Sequence, residues 1–297
     1  MRRRVPLRRA ALAAVALLAV VATATGCIAE TDASRNGQSP SSAPSDTALG
    51  ADPSGAVEDT FDGPAGSKPN SAVWTIQTGG GGWGNAELQT YTEDAVSLDG
   101  EGHLVIEARI PKDGGSPTSG RITTQGHYSF TYGTLTARIR IPDGKGLLPA
   151  FWLLGDSISL VGWPKSGEID VVETPASTTS THHNLHGPTT AGNAWNVATG
   201  VRWPTPLSED FHDYAIVKSP GTLQWLVDGK VVYTVTKSQL PARYEWVFDA
   251  PFHILFSLAV GGNWPGAPDK TTPKVAKMVI DWVRYEPLTS PTPAPSP

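Results

Sequence analysis

Residues 133–141 read Gly-Thr-Leu-Thr-Ala-Arg-Ile-Arg-Ile, apolar and polar in alternation for the whole length. Successive side chains of a strand point to opposite faces, so this period of two specifies a half-buried strand. An amphipathic helix would need a period near 3.6. Residues 223–227 alternate in the same way and run into Asp228-Gly229, after which Val231-Val232-Tyr233-Thr234-Val235 follows. An Asp-Gly between two β-prone runs predicts a two-residue hairpin turn. Residues 104–108 form another short β-branched run, and 252–260 are apolar almost throughout, as a central strand covered on both faces would be. Beyond the N-terminal leader no twelve-residue window carries a helical stripe. Short strands separated by Gly- and Pro-rich turns predict an all-β fold, a sandwich or a barrel.

Low-complexity segments bracket this region. The chain opens with Met1-Arg2-Arg3-Arg4 and Arg8-Arg9, continues through an apolar run over 10–22, and reaches Ala24-Thr25-Gly26-Cys27. Residues 1–26 thus read as a signal peptide, with an apolar run shorter than the roughly 20 residues of a transmembrane helix. The four residues ending at Cys27 resemble a bacterial lipobox, in which cleavage precedes a lipid-modified cysteine. Cys27 is the only cysteine, which excludes an internal disulfide. Residues 27–56 are rich in Ser, Ala, Pro, Asp and Thr and bury too little apolar surface to offset their ordering entropy. The expectation is an exported cell-surface lipoprotein of a bacterium, lipidated at Cys27 and tethered by 27–56, with free secretion as the alternative. Arg8-Arg9 leaves the general and twin-arginine export routes both open. A Pro-rich tail occupies 287–297, and 57–286 remains as one folded unit, expected to be a monomer. The net charge of -5 gives no electrostatic footprint for nucleic acid, and membrane contact is expected through the lipid only.

The chemistry is concentrated in Gly167-Glu168-Ile169-Asp170-Val171-Val172-Glu173. As a strand, this segment puts Glu168 and Asp170 on one face and Ile169 on the other. Glu173 falls on the wrong face unless one extra residue, a β-bulge near Val171-Val172, restores it. With the bulge the two glutamates stand about four strand steps, or roughly 13 Å, apart at the backbone. An inward lean of about 4 Å on each side brings the carboxyls to roughly 5 Å, the separation used by retaining glycosidases. Three acids on one face push their pKa values apart, so that one serves as an ionised nucleophile and another as a protonated acid. A solvated acidic strand and a calcium site are the competing readings at this point.

This segment resembles the signature of family 16 glycoside hydrolases in the bulged form of bacterial laminarinase-like enzymes. The likeness extends, in the family's order, through Gly84-Asn85-Ala86-Glu87-Leu88-Gln89-Thr90-Tyr91, Ser119-Gly120-Arg121-Ile122, Pro149-Ala150-Phe151-Trp152, Gly162-Trp163-Pro164, Gly261-Gly262-Asn263-Trp264 and Ile280-Asp281-Trp282. The resemblance implies a concanavalin-like jelly-roll sandwich with the cleft on its concave sheet. It implies Glu168 as nucleophile, Asp170 as its helper and Glu173 as general acid/base. Asn85 and Arg121 match sugar-hydrogen-bonding positions, Trp152, Trp163 and Trp264 match cleft aromatics, and His186 is placed in the cleft near the acid/base. The implied activity is retaining endo-hydrolysis of a polysaccharide, β-1,3-glucan first. The alternatives are a family member acting on another β-glycan, a transglycosylase, or a non-catalytic carbohydrate-binding sandwich. No cofactor is required. No metal site is assigned either, since His182 and His186 share a face but lack a third ligand of known spacing. The sequence departs from the pattern at Leu148, Ala86 and Thr60, the last removing a usual ligand of a structural calcium. Calcium is therefore not predicted, although Asp281 could contribute to one.

Overall fold

The computed structural model describes residues 50–51, 56–111 and 115–288. The leader, Cys27, most of the spacer and the tail from 289 lie outside the described residues. In chain order the principal strands are β1 (Leu104–Arg109), β2 (Arg121–Thr123), β3 (Gly133–Arg140), β4 (Leu147–Gly155), β5 (Glu168–Glu173) and β6 (Ser180–Pro188). They continue as β7 (Ala194–Arg202), β8 (His212–Ser219), β9 (Thr222–Val227), β10 (Lys230–Thr236), β11 (Phe252–Val260) and β12 (Val275–Glu286). Among the described residues the only α-helix is the single turn Ile158–Val161.

The strands form an eleven-stranded and a seven-stranded sheet. The larger runs β10-β9-β8-β3-β12-β1 and then through the short strands Thr118–Ser119 and Thr90–Tyr91. Val57–Asp59 pairs with the end of β12, and Gly50–Ala51, inside the stretch read as a spacer, pairs with Val57 and Glu58. The smaller sheet runs β7-β6-β5-β4-β11-β2 and ends on Thr75–Ile76.

The local patterns explain the layering. Leu135, Ala137 and Ile139 of β3 are buried while the residues between them are not, so the larger sheet presents one apolar face. Phe151 and Leu153 of β4, Ile169 of β5, Leu185 of β6 and Phe256 of β11 meet that face from the smaller sheet. Each such side chain contributes about 1.5–3 kcal/mol on burial. Every residue of β11 is buried, because core packing covers one face and the wall of a cleft covers the other. The β9–β10 hairpin closes on Asp228 (φ 49°) and Gly229 (φ 73°), the two positive angles that a type I′ turn requires.

Candidate active site

The outer face of the seven-stranded sheet holds a cleft of about 870 Å³. Across the β5–β6 ladder Asp170 faces Asn184 and Glu173 faces His182, so three steps on β5 match two on β6. The β4 ladder skips Val171 at the same place, with Trp152 opposite Asp170 and Phe151 opposite Val172. The strand is therefore bulged where the spacing required it. Val171 and Val172 are both buried, and Glu168, Asp170 and Glu173 all line the cleft.

A bulge breaks the ladder, and the backbone groups it frees need other partners if they are buried. Trp225, fully buried on β9 of the opposite sheet, donates its indole N–H to the Asp170 carbonyl at 2.8 Å. His183 places Nδ1 2.7 Å from the Val171 carbonyl and Nε2 2.9 Å from Thr181 Oγ1. Burial pushes the His183 pKa down to about 4, so the neutral ring donates from Nδ1 and accepts at Nε2. Gly167 opens the strand at φ 78°, and a Cβ there would come within 2.8 Å of Val247 and 3.0 Å of Phe252. No other residue fits that entry without displacing the core.

The three acids share one electrostatic problem. Burial and the Asp170 charge raise the Glu168 pKa to about 8, against the pull of His186 and of the Trp163 indole N–H, which donates to Glu168 Oε2 at 2.9 Å. Burial raises Asp170 to about 7, opposed by hydrogen bonds with Glu168 and Asn184. Glu173 stands well above the ordinary carboxylate range, raised by burial and then by the charges of Asp170 and Glu168. The Asn184 amide donates to Glu173 Oε2 at 2.5 Å and favours the charged form. His186 Nε2 lies 3.2 Å from Asp170 Oδ2, and an atom each from Glu168, Asp170 and His186 lie within 4.8 Å of one another. The cluster is built to hold fewer than three negative charges.

Asn85, Arg121, Trp152, Trp163, His186 and Trp264 line the same cleft. Trp163 and Trp264 are 51% and 45% exposed, open enough for a ring face to meet a ligand. Trp152 differs: the Arg121 guanidinium lies 4.6 Å from its ring centre, and its N–H donates to Ser257 Oγ at 3.1 Å. Trp83 covers Arg121 from another side at 4.7 Å, and Arg121 Nε donates to Gln77 Oε1 at 2.5 Å. His186 sits opposite Glu168, and the bulge between Asp170 and Glu173 brings His182, rather than Thr181, opposite Glu173. Asp59 accepts from the Phe61 N–H and the Trp74 indole, and Asp281 faces Arg138 Nε at 3.3 Å.

A family model, Glycosyl hydrolases family 16, matches residues 84–284, which contain the bulged acid strand and every lining residue named above except Trp83. The chain is a family 16 glycoside hydrolase. This glycosidase is 37% identical over 233 residues to a "Beta-glucanase" of Rhodothermus marinus, covering 73% of this chain and 79% of that one. It also resembles the endo-β-1,3-glucanase of Pyrococcus furiosus, with 43% identity and a TM-score of 0.70 over 78% of this chain and 94% of that one. The laminarinase catalytic domain of Thermotoga maritima MSB8 gives 35% identity and a TM-score of 0.71 over 78% and 97%. The two packed sheets are the family's jelly-roll sandwich.

Several residues of the glycosidase site escaped the reading of the sequence. Trp83 lies within a glycine-rich run, where a tryptophan carries no periodic signal. Glu87 stands in the 84–91 motif with no signal of its own. It accepts from Gln89 Nε2 at 2.6 Å and Tyr91 O–H at 3.1 Å, and burial raises its pKa. Trp225 and His183 take their role only from the carbonyls that the bulge frees, which no local pattern marks. The alternation of His182, Asn184 and His186 was the available signal for the β6 wall.

Proposed function

We propose that this glycosidase cleaves internal linkages of a β-1,3-glucan with retention of anomeric configuration, using Glu168 as nucleophile and Glu173 as acid/base. The observation that carries the reading is the bulge at Val171, which puts both glutamates and Asp170 on the cleft face of one strand. The relatives named β-glucanase, endo-β-1,3-glucanase and laminarinase support the choice of substrate.

Glu173, which burial and the charges of its two neighbours hold well above its ordinary pKa, carries the proton and delivers it to the departing glycosidic oxygen. Burial raises the pKa of both Glu168 and Asp170, and the two share a hydrogen bond through which Asp170 takes the Glu168 proton. The freed Glu168 carboxylate attacks the anomeric carbon, steadied by the Trp163 N–H. Glu173, now ionised, takes a proton from water, and that water releases the sugar from Glu168.

Glu168→Gln keeps the shape of the side chain and removes the nucleophile. The expected result is a folded protein that releases no reducing sugar. A folded variant with undiminished release overturns the mechanism. A product profile on laminarin, mixed-linkage glucan, agarose and carrageenan tests the substrate, with β-1,3-glucan cut fastest and agarose and carrageenan left intact. For location, we propose a lipid anchor at Cys27, supported by the lipobox-like sequence and the polar spacer after it. Cys27→Ala is expected to move the protein from the membrane fraction to the medium, and unchanged fractionation refutes the anchor.

A further inference from the structure

Strand β6 carries three histidines, and two are committed. His183 is locked in the core between Thr181 and the Val171 carbonyl, and His186 lies against Asp170. His182 is different. It lines the cleft and is half-buried, and among the described residues no protein group hydrogen-bonds either of its ring nitrogens. Two neighbours hold its ring. Trp264 meets it edge to face at 4.9 Å, and the bare backbone of Gly200 lies beneath it. A Cβ on Gly200 would stand 3.3 Å from His182 Cε1 and 3.4 Å from Nδ1, so the glycine leaves the imidazole its room.

Its position along the strand gives the ring a use. His182 is the cross-strand partner of Glu173, whereas Glu168 faces His186. The acid must reach the oxygen that leaves, and the sugar on that oxygen lies beside the acid. Across the ladder from His182 the edge strand β7 carries Gly200, and Ala198 follows opposite Asn184, a low wall of small residues with space for a ring. We infer that His182 binds the leaving-group sugar, its two free nitrogens meeting hydroxyls of that residue, a reading that rests on the proposed role of Glu173. Burial lowers the His182 pKa, so the ring is neutral and offers one donor and one acceptor, which matches a sugar hydroxyl in either sense. A neutral ring also leaves the high pKa of Glu173 undisturbed, as a lysine or arginine there would not.

His182→Phe keeps a flat ring against Trp264 and removes both nitrogens, and His182→Gln keeps a donor and an acceptor without the ring. The substrates are a β-1,3-gluco-oligosaccharide and an aryl β-glycoside of the fragment that the enzyme releases, whose leaving group is not a sugar. The expected result for His182→Phe is a fall in kcat/KM at least tenfold larger on the oligosaccharide than on the aryl glycoside, with His182→Gln recovering part of the difference. An equal fall on both substrates, or His182→Phe matching wild type while His182→Gln fails, overturns the assignment and makes the ring a packing element. Wild-type enzyme that cleaves neither substrate overturns the glucanase reading and this inference together.

Discussion

The two flanks of the acid strand are built on opposite plans. Toward β4, β11 and β2 the cleft is already satisfied by its own residues. Arg121 is held between Trp83 and Trp152, Trp152 is tied to Ser257, and Glu87 is bonded to Gln89 and Tyr91. Toward β6 and β7 Asn184 and His186 bind the acids, but His182 is free of protein partners among the described residues and small residues stand at the edge. A wall whose polar groups hold one another keeps its shape before substrate arrives and loses little entropy on binding. An open wall recognises whatever brings the complementary hydroxyls. The difference suggests that one side orients the sugar under attack and the other accepts a leaving group.

The closed flank is the place to break this comparison. Arg121→Ala removes the cation that joins two indoles and is expected to lower kcat/KM by on the order of a hundredfold. Arg121→Lys should recover little of it, since an ammonium cannot lie flat between rings as a guanidinium does. Michaelis–Menten kinetics on β-1,3-glucan check both, and a Lys variant near wild type would show that charge alone matters there. A smaller effect is expected beneath the acids. Trp225→Phe leaves the buried Asp170 carbonyl without its donor, a loss of about 1–3 kcal/mol. Thermal unfolding should show the lower Tm, and kcat should fall with it if the bulge relaxes. The smallest effect sharpens the open flank. Asn184 favours the charged form of Glu173, so Asn184→Leu raises the Glu173 pKa further. Activity needs Glu173 protonated and is lost as pH rises through its pKa. The alkaline limb of the pH–rate profile should therefore move upward. A downward move would assign that limb to another group.

Much of the fold was legible. Alternation over 133–141, the apolar run of β11 and the Asp228-Gly229 turn each specified a local geometry, and each stands in the sandwich as expected. The site was legible in part. The residues assigned to it from the resemblance all line one cleft, with His186 across the ladder from Glu168 and His182 across from Glu173. The second of these pairings was not legible, because a one-residue bulge changes which positions face each other across a ladder, and alternation alone does not count it.

The sequence by itself determined that Glu168 and Asp170 share a face and that Glu173 could join them only through an extra residue. A period of two is a property of a single strand and can be read from its neighbours in the chain. The tertiary structure decided how that extra residue is kept. The carbonyl it frees at Asp170 is met by Trp225, 55 residues away on the other sheet. It also decided that Arg121 is clasped by two indoles while His182 is left free. Those outcomes depend on which side chains from distant strands fill the space around each group, and no local pattern encodes that.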